Sequence, residues 1–404
     1  MSGAELIQEF EGVDFDSRDA VDVLAHFDRL LATGRKVVTI PFQGSHAYAV
    51  LGHEAVQAAF MDELELPGAT YFRRFTMEFF GHVVSAMEGD EHRFHRAVFG
   101  GPLTPVQVRQ RVQSILVPAA NELISGLEPN RRFDFVERFA RPYPFNVISI
   151  LLGVPVEDRA HLHEYVERSF DIARPEEAMW ARDGLAQYLE GLVASRLTSP
   201  GDDIVTKFAT AEVGGKRYSR QELLDAIRFI YPAAAENTRN ALSAALYHVL
   251  QDPEVLRRVR DNPADRDAAV EEALRIEPPL SVMLRYTERP LTLEGVAIPA
   301  ESFVLLCIAT ANRDPLVFEN PTAFSLDRGP LNHVTFGRGP HFCLGAHLAR
   351  AEVRTMLDLA LSRLKGLRIA KGEHPVAVGG TQHGFQELGL EFDELSPPAS
   401  QASA

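Results

Sequence analysis

The chain has 404 residues, 46% of them hydrophobic and 24% charged, with 41 Lys and Arg against 56 Asp and Glu for a net charge of −15. A globular chain of this length buries roughly three quarters of its unfolded surface, which excludes general disorder. The acidic balance argues against nucleic acid, whose phosphates need clustered cations, and two cysteines, Cys307 and Cys343, exclude a disulfide framework.

The N-terminus, MSGAELIQEFEGVDFDSRD, lacks the basic and apolar regions of a signal peptide. Residues 1–20 and 394–404 are expected to be flexible ends. Residues 36–41 and 47–51 flank a polar turn and predict a hairpin. The longest apolar run, FNVISILLGVPV, falls short of the ~20 residues that cross a membrane. An Ala- and Leu-rich stretch, 225–250, predicts a long helix stopping before Asp252-Pro253, with Pro232 expected to kink or loosen it. Residues 254–276 read as two helices split at Asn262-Pro263. Residues 291–298 and 303–308 read as a strand pair around Pro299-Ala300, with Cys307 in the core. Residues 344–364 keep an apolar helical face, with Gly366 as the stop. No repeat or linker divides the chain. The expectation is one domain over 1–404, mainly α with small β-sheets, monomeric and cytoplasmic.

The most informative segment is Phe336-Gly337-Arg338-Gly339-Pro340-His341-Phe342-Cys343-Leu344-Gly345, which leads into a helix. Its three glycines let backbone approach something flat and bulky. Free N–H groups and the dipole at a helix start favour a thiolate, and a thiolate is a soft metal ligand. A dinucleotide fingerprint would need glycine at 342, where Phe stands. Structural zinc needs four ligands, and Cys343 with His341 and His347 meets no second cluster. An inert buried cysteine would leave the glycines unexplained.

This segment resembles the haem-binding loop of the cytochrome P450 family, Phe-Gly-x-Gly-x-His-x-Cys-x-Gly, at every fixed position. The resemblance implies the P450 fold, with a long central helix over haem b. It implies Cys343 as axial thiolate of the iron, with Phe336 and Gly345 beside the cofactor. His92 and Arg96, four apart and so on one helical face, match the family's propionate pair; Arg285 and His341 match two further propionate contacts. Glu272 and Arg275 match a structural Glu-x-x-Arg ion pair. Its usual third partner is replaced by Ala323, with Arg328 as a substitute. The motifs run in family order over 37–391.

One segment departs from the family. The oxygen-activating stretch, usually small-Gly-x-acid-Thr, reads Ala233-Ala234-Ala235-Glu236-Asn237-Thr238. Two registers are open, with Glu236-Asn237 or Asn237-Thr238 as the acid and alcohol positions. The family acid precedes the next proline by seventeen residues, as Glu236 precedes Pro253, so Asn237 stands where threonine is usual. Glu236, Asn237 and Thr238 are the catalytic candidates. By resemblance, Phe75, Phe79, Phe80, Val84, Phe229, Ala233, Val282 and Phe385 line a pocket for an apolar small molecule. The implied activity is a monooxygenase using O2, hydroxylating or dealkylating a terpenoid, aromatic or steroid. Electrons would come from a separate ferredoxin and reductase, docking on arginines 338, 350, 354, 109 and 111. A peroxide-driven peroxygenase and a haem-binding sensor are the alternatives.

Overall fold

The computed structural model describes residues 15, 17, 20–169 and 175–398. Its axis is the helix Arg220–Gln251. Ser219 and Glu222 open it as a capping box, each side chain accepting the other's backbone N–H. Asp252 closes it and caps the next helix, Pro253–Asp261, through the N–H groups of Glu254 and Val255. The long helix packs on Pro142–Leu151, Pro263–Ile276 and Ala346–Arg363. Leu242, Leu246 and Val249 lie fully buried in that contact, each worth roughly 1.5–3 kcal/mol.

Pro232 does not interrupt this helix, which continues unbroken through it. One backbone donor is lost there, and tertiary packing holds the flanks. Tyr231 is fully buried, and its hydroxyl meets Ser149 Oγ at 2.7 Å.

Val37–Phe42 and Ser45–Val50 form the expected hairpin. Gln43 and Gly44, both at positive φ, make its two-residue turn. The second pairing differs from the sequence expectation. Leu291–Leu293 folds back on Val296–Ile298 across Glu294 and Gly295, again both at positive φ. Phe303–Leu306 instead lies between Ser45–Val50, to which it is parallel, and Met283–Tyr286, to which it is antiparallel. Four consecutive apolar residues suit an interior strand better than an exposed hairpin.

The expected flexible ends are only partly described: 1–14, 16, 18–19 and 399–404 lie outside the described residues. The described parts make packing and pairing contacts. Phe15 is fully buried, 5.0 Å ring to ring from Phe27, and Glu394–Leu395 pairs with Leu364–Lys365. Among the described residues no helix is long and apolar enough to cross a membrane.

Candidate active site

Short hydrogen bonds fold the cysteine loop. Gly337 N donates to Val334 O at 2.8 Å, Phe342 N to Gly339 O at 3.1 Å, and Cys343 N to Phe336 O at 2.9 Å. Gly339 sits at φ +72°, and a Cβ there would meet Phe60 O and Met61 Sδ at 3.1 Å, so glycine is required. Gly345 caps the helix Ala346–Arg363. Cys343 therefore projects from just before a helix start into a cavity of about 590 Å³. Its exposed surface faces that cavity, with protein on every other side. Burial pushes its thiol up, against the Gly345 and Ala346 N–H groups and the Arg96 and Arg350 charges. The helix start alone therefore does not make a thiolate here.

One wall of the cavity is cationic and incomplete. His92 and Arg96 project from the helix Gly89–Gly100, and Arg96 donates to Phe342 O at 2.8 Å. His92 is buried, 4.3 Å ring to ring from His341. Burial and the neighbouring His341 and Arg96 charges lower its pKa to about 4, so it is neutral at pH 7. Its Nε2 has no partner among the described residues. Arg285, on the strand Met283–Tyr286, is only 2% exposed, and its Nε also has no partner; burial lowers it to about 10. His341 lies flat on the backbone at Gly68, where a Cβ would come within 2.5 Å of its ring. Glu63 Oε2 is 3.6 Å from His341 Nε2, while its Oε1 is buried and unpaired.

The long helix supplies the opposite wall. Glu236 Oε2 accepts from Gln382 Nε2 at 3.0 Å, and Arg239 lies 3.6 Å from Oε1. Asn237 Oδ1 is buried without a partner. Thr238 donates back to Ala234 O at 2.9 Å, so its hydroxyl proton is occupied within the helix.

Phe80, Val84, Phe229 and Ala233 line this cavity with Cys343, Glu236, Asn237 and Thr238. Phe336 and Gly345 line it as well. Three other pocket candidates are placed elsewhere. Phe75 packs outside it against Tyr71, Tyr286 and Phe303. Val282 lies in the core cluster of the sheet, and Phe385 is buried on Tyr247 at 4.5 Å. The Phe79 side chain lies outside the described residues. Sequence reasoning missed Glu63, Gln382 and Glu352, which no motif marks. Glu352 lines the cavity with Oε2 buried and unpaired, and burial pushes its carboxyl well up.

Below the site, Glu272 receives Arg275 in a bidentate pair with both contacts at 2.7 Å. Arg275 also donates to the carbonyls of Asn312, Pro321 and Ala323. Arg328 Nε reaches Glu272 Oε1 at 2.8 Å and so provides the third partner. The arginines read as a docking face are largely engaged. Arg350 pairs with Glu271, Arg354 with Asp267 and Asp358, and buried Arg111 donates to Pro102 O.

A family model described as cytochrome P450 matches residues 266–376. The chain is 34% identical over 301 residues to "Putative cytochrome P450 126" of Mycobacterium tuberculosis, covering 72% of each chain. It is 30% identical over 374 residues to "Cytochrome P450 monooxygenase PikC" of Streptomyces venezuelae, covering 89% of this chain and 86% of that one. The solved structure of cytochrome P450 CYP109Q5 from Chondromyces apiculatus superposes with a TM-score of 0.86 at 25% identity, covering 95% of this chain and 99% of that one. Family membership implies a haem held by a cysteine thiolate, and the residues fit it. A cavity-facing thiol lies beside a wall where buried His92 Nε2 and Arg285 Nε lack the anion that two propionates would provide. With loop, cradle, fold and relatives in agreement, the chain belongs to the cytochrome P450 family of haem-thiolate monooxygenases.

Proposed function

We propose that this protein binds haem b through Cys343 and inserts one oxygen atom from O2 into an apolar small molecule. The reaction is a hydroxylation or oxidative dealkylation, and a terpenoid, aromatic or steroid fits the pocket chemistry. Electrons come from a cytoplasmic ferredoxin and its reductase. The observation that carries the reading is a single cavity holding Cys343, the unpaired donors of His92 and Arg285, and a wall of Phe72, Phe80 and Phe229. When bound, the haem supplies the dioxygen and electron chemistry of the family.

The chain's own residues supply the rest. His92, Arg96, Arg285 and His341 hold the carboxylates of the cofactor. The phenylalanines exclude water and favour an apolar guest. Glu236 delivers protons from the helix side. Asn237 offers an unpaired amide oxygen, which accepts from a substrate hydroxyl or a water and orients it.

The test is an absorption spectrum of the reduced, carbon monoxide-bound protein, with and without Cys343→Ala. The expected result is a strongly red-shifted Soret band that the substitution abolishes. A well-folded protein that takes up no haem would refute the reading. In Asn237→Ala, product formed per reducing equivalent is expected to fall; turnover of wild type on peroxide alone, without reductase, would favour a peroxygenase.

A further inference from the structure

The segment 380–385 crosses the long helix at two points one helical turn apart. At the first, Gln382 Nε2 donates to Glu236 Oε2 at 3.0 Å. At the second, a Cβ on Gly384 would come within 2.4 Å of Asn240 Cγ, so only glycine lets the chain pass so closely. Glu236 and Asn240 are four residues apart on one helix face. The two contacts fix where the segment sits along the helix.

The segment is also held from behind. Gln382 bridges Leu280, and His383 N donates to Pro279 O at 2.9 Å. The next side chain, His383, points the opposite way from Gln382, as alternate residues of an extended chain do. Its Nε2 donates to Glu277 Oε1 at 2.7 Å and its Nδ1 to Gly379 O at 3.0 Å. Gln382 is thus presented to the long helix by a buried, rigid backbone.

Glu236 has two partners on different oxygens, Gln382 on Oε2 and Arg239 on Oε1. Gln382 lines the cavity and Arg239 does not. Arg239 reaches Glu236 through a terminal guanidinium nitrogen, farther away at 3.6 Å, while its Nε donates to Asn240 Oδ1 at 3.2 Å. Without Gln382, Arg239, which does not line the cavity, would pull on the carboxylate unopposed by that amide.

We propose that Gln382 is a positioning residue, whose amide keeps the Glu236 carboxylate at the cavity wall against the pull of Arg239. This rests on the reading of Glu236 as the group that delivers protons.

The test compares wild type with Gln382→Met, which keeps length and removes the amide, and with Glu236→Gln. The first readout is the crystal structure of the Gln382→Met holoprotein. The Glu236 carboxylate is expected to have moved off the cavity wall and closer to Arg239 than the 3.6 Å seen here. The second is reductase-driven dioxygen consumption in H2O and D2O with a surrogate ferredoxin, O2 itself being the probe. Gln382→Met is expected to lower the rate about tenfold, the size of one lost hydrogen bond to a charge, and to enlarge the solvent isotope effect. Affinity for imidazole, read from its spectral shift, should stay within twofold, separating positioning from general damage. A Glu236 carboxylate left in place in Gln382→Met, or a rate and isotope effect equal to wild type while Glu236→Gln is slow, overturns the positioning role alone. Wild-type behaviour of Glu236→Gln overturns the proton-delivery reading, and the positioning role with it.

Discussion

Two buried charge clusters in this molecule differ in one respect. In the ion-pair cluster, Glu272 and Arg275 are both fully buried. The carboxylate is met by Arg275, Arg328 and Ser325 N, and the guanidinium by three carbonyls besides. In the cavity-wall cluster, His92 and Arg285 are equally hidden, yet His92 Nε2, Arg285 Nε and the neighbouring Glu63 Oε1 have no partner. A buried polar atom left unpaired costs about 1–3 kcal/mol. The finished cluster holds elements together, whereas the unfinished one is left, on the proposed reading, for the carboxylates of the cofactor to complete.

The contrast can be broken most sharply at Glu272. Glu272→Ala takes the carboxylate from the buried Arg275 guanidinium and from half-buried Arg328, and should destabilise the protein by about 3–5 kcal/mol, with or without haem, as measured by urea unfolding. The matching change in the other cluster is Arg285→Met. Haem retention, measured by transfer to apomyoglobin, should weaken roughly 10- to 100-fold, the worth of a charged hydrogen bond. Apoprotein stability should hold or rise, because a desolvated and incompletely paired cation is gone. An apoprotein as damaged as Glu272→Ala would erase the distinction.

A third cluster gives the smallest effect. Glu277 lies between His383 at 2.7 Å and His248 at 3.2 Å. Burial opposes ionisation of Glu277, and the two imidazoles outweigh it, holding its carboxyl well below the usual range. Burial and the Arg313 charge disfavour a protonated His383, but Glu277 and Gly379 O hold its pKa above 6.5. Both His383 ring nitrogens face acceptors, which requires the imidazolium. A group whose pKa is raised by folding contributes stability that is complete below its unfolded value of about 6.5 and lost as pH rises through the folded value. Unfolding free energy of wild type should therefore decline above neutrality, by about 1.4 kcal/mol for each pH step between the unfolded and folded values, and His383→Gln should flatten that slope.

What was legible in the sequence follows the same division. The loop around Cys343, the His92 and Arg96 spacing and the long helix were readable because local chemistry dictates them: glycine at positive φ, a four-residue helical spacing, a cap at each end. The pairing of Phe303–Leu306 was not, since a short apolar strand fits several neighbours and tertiary burial selects one. The packing of Phe75, Val282 and Phe385 on aromatic and core neighbours was not legible for a related reason. An aromatic or branched side chain near a site carries no mark of whether it faces the cavity or the core. Gln382 left no trace at all, because its meaning comes from a helix 146 positions away in the chain.

The two sulfurs of the protein have unequal access to reagents. Cys307 is sealed in the sheet core, where burial pushes its thiol far up, and Cys343 opens onto the cavity. On the proposed reading, the cofactor-free protein presents one thiol to an alkylating reagent and the loaded protein none. On that reading, a count of reactive thiols measures how far a preparation has been loaded with haem.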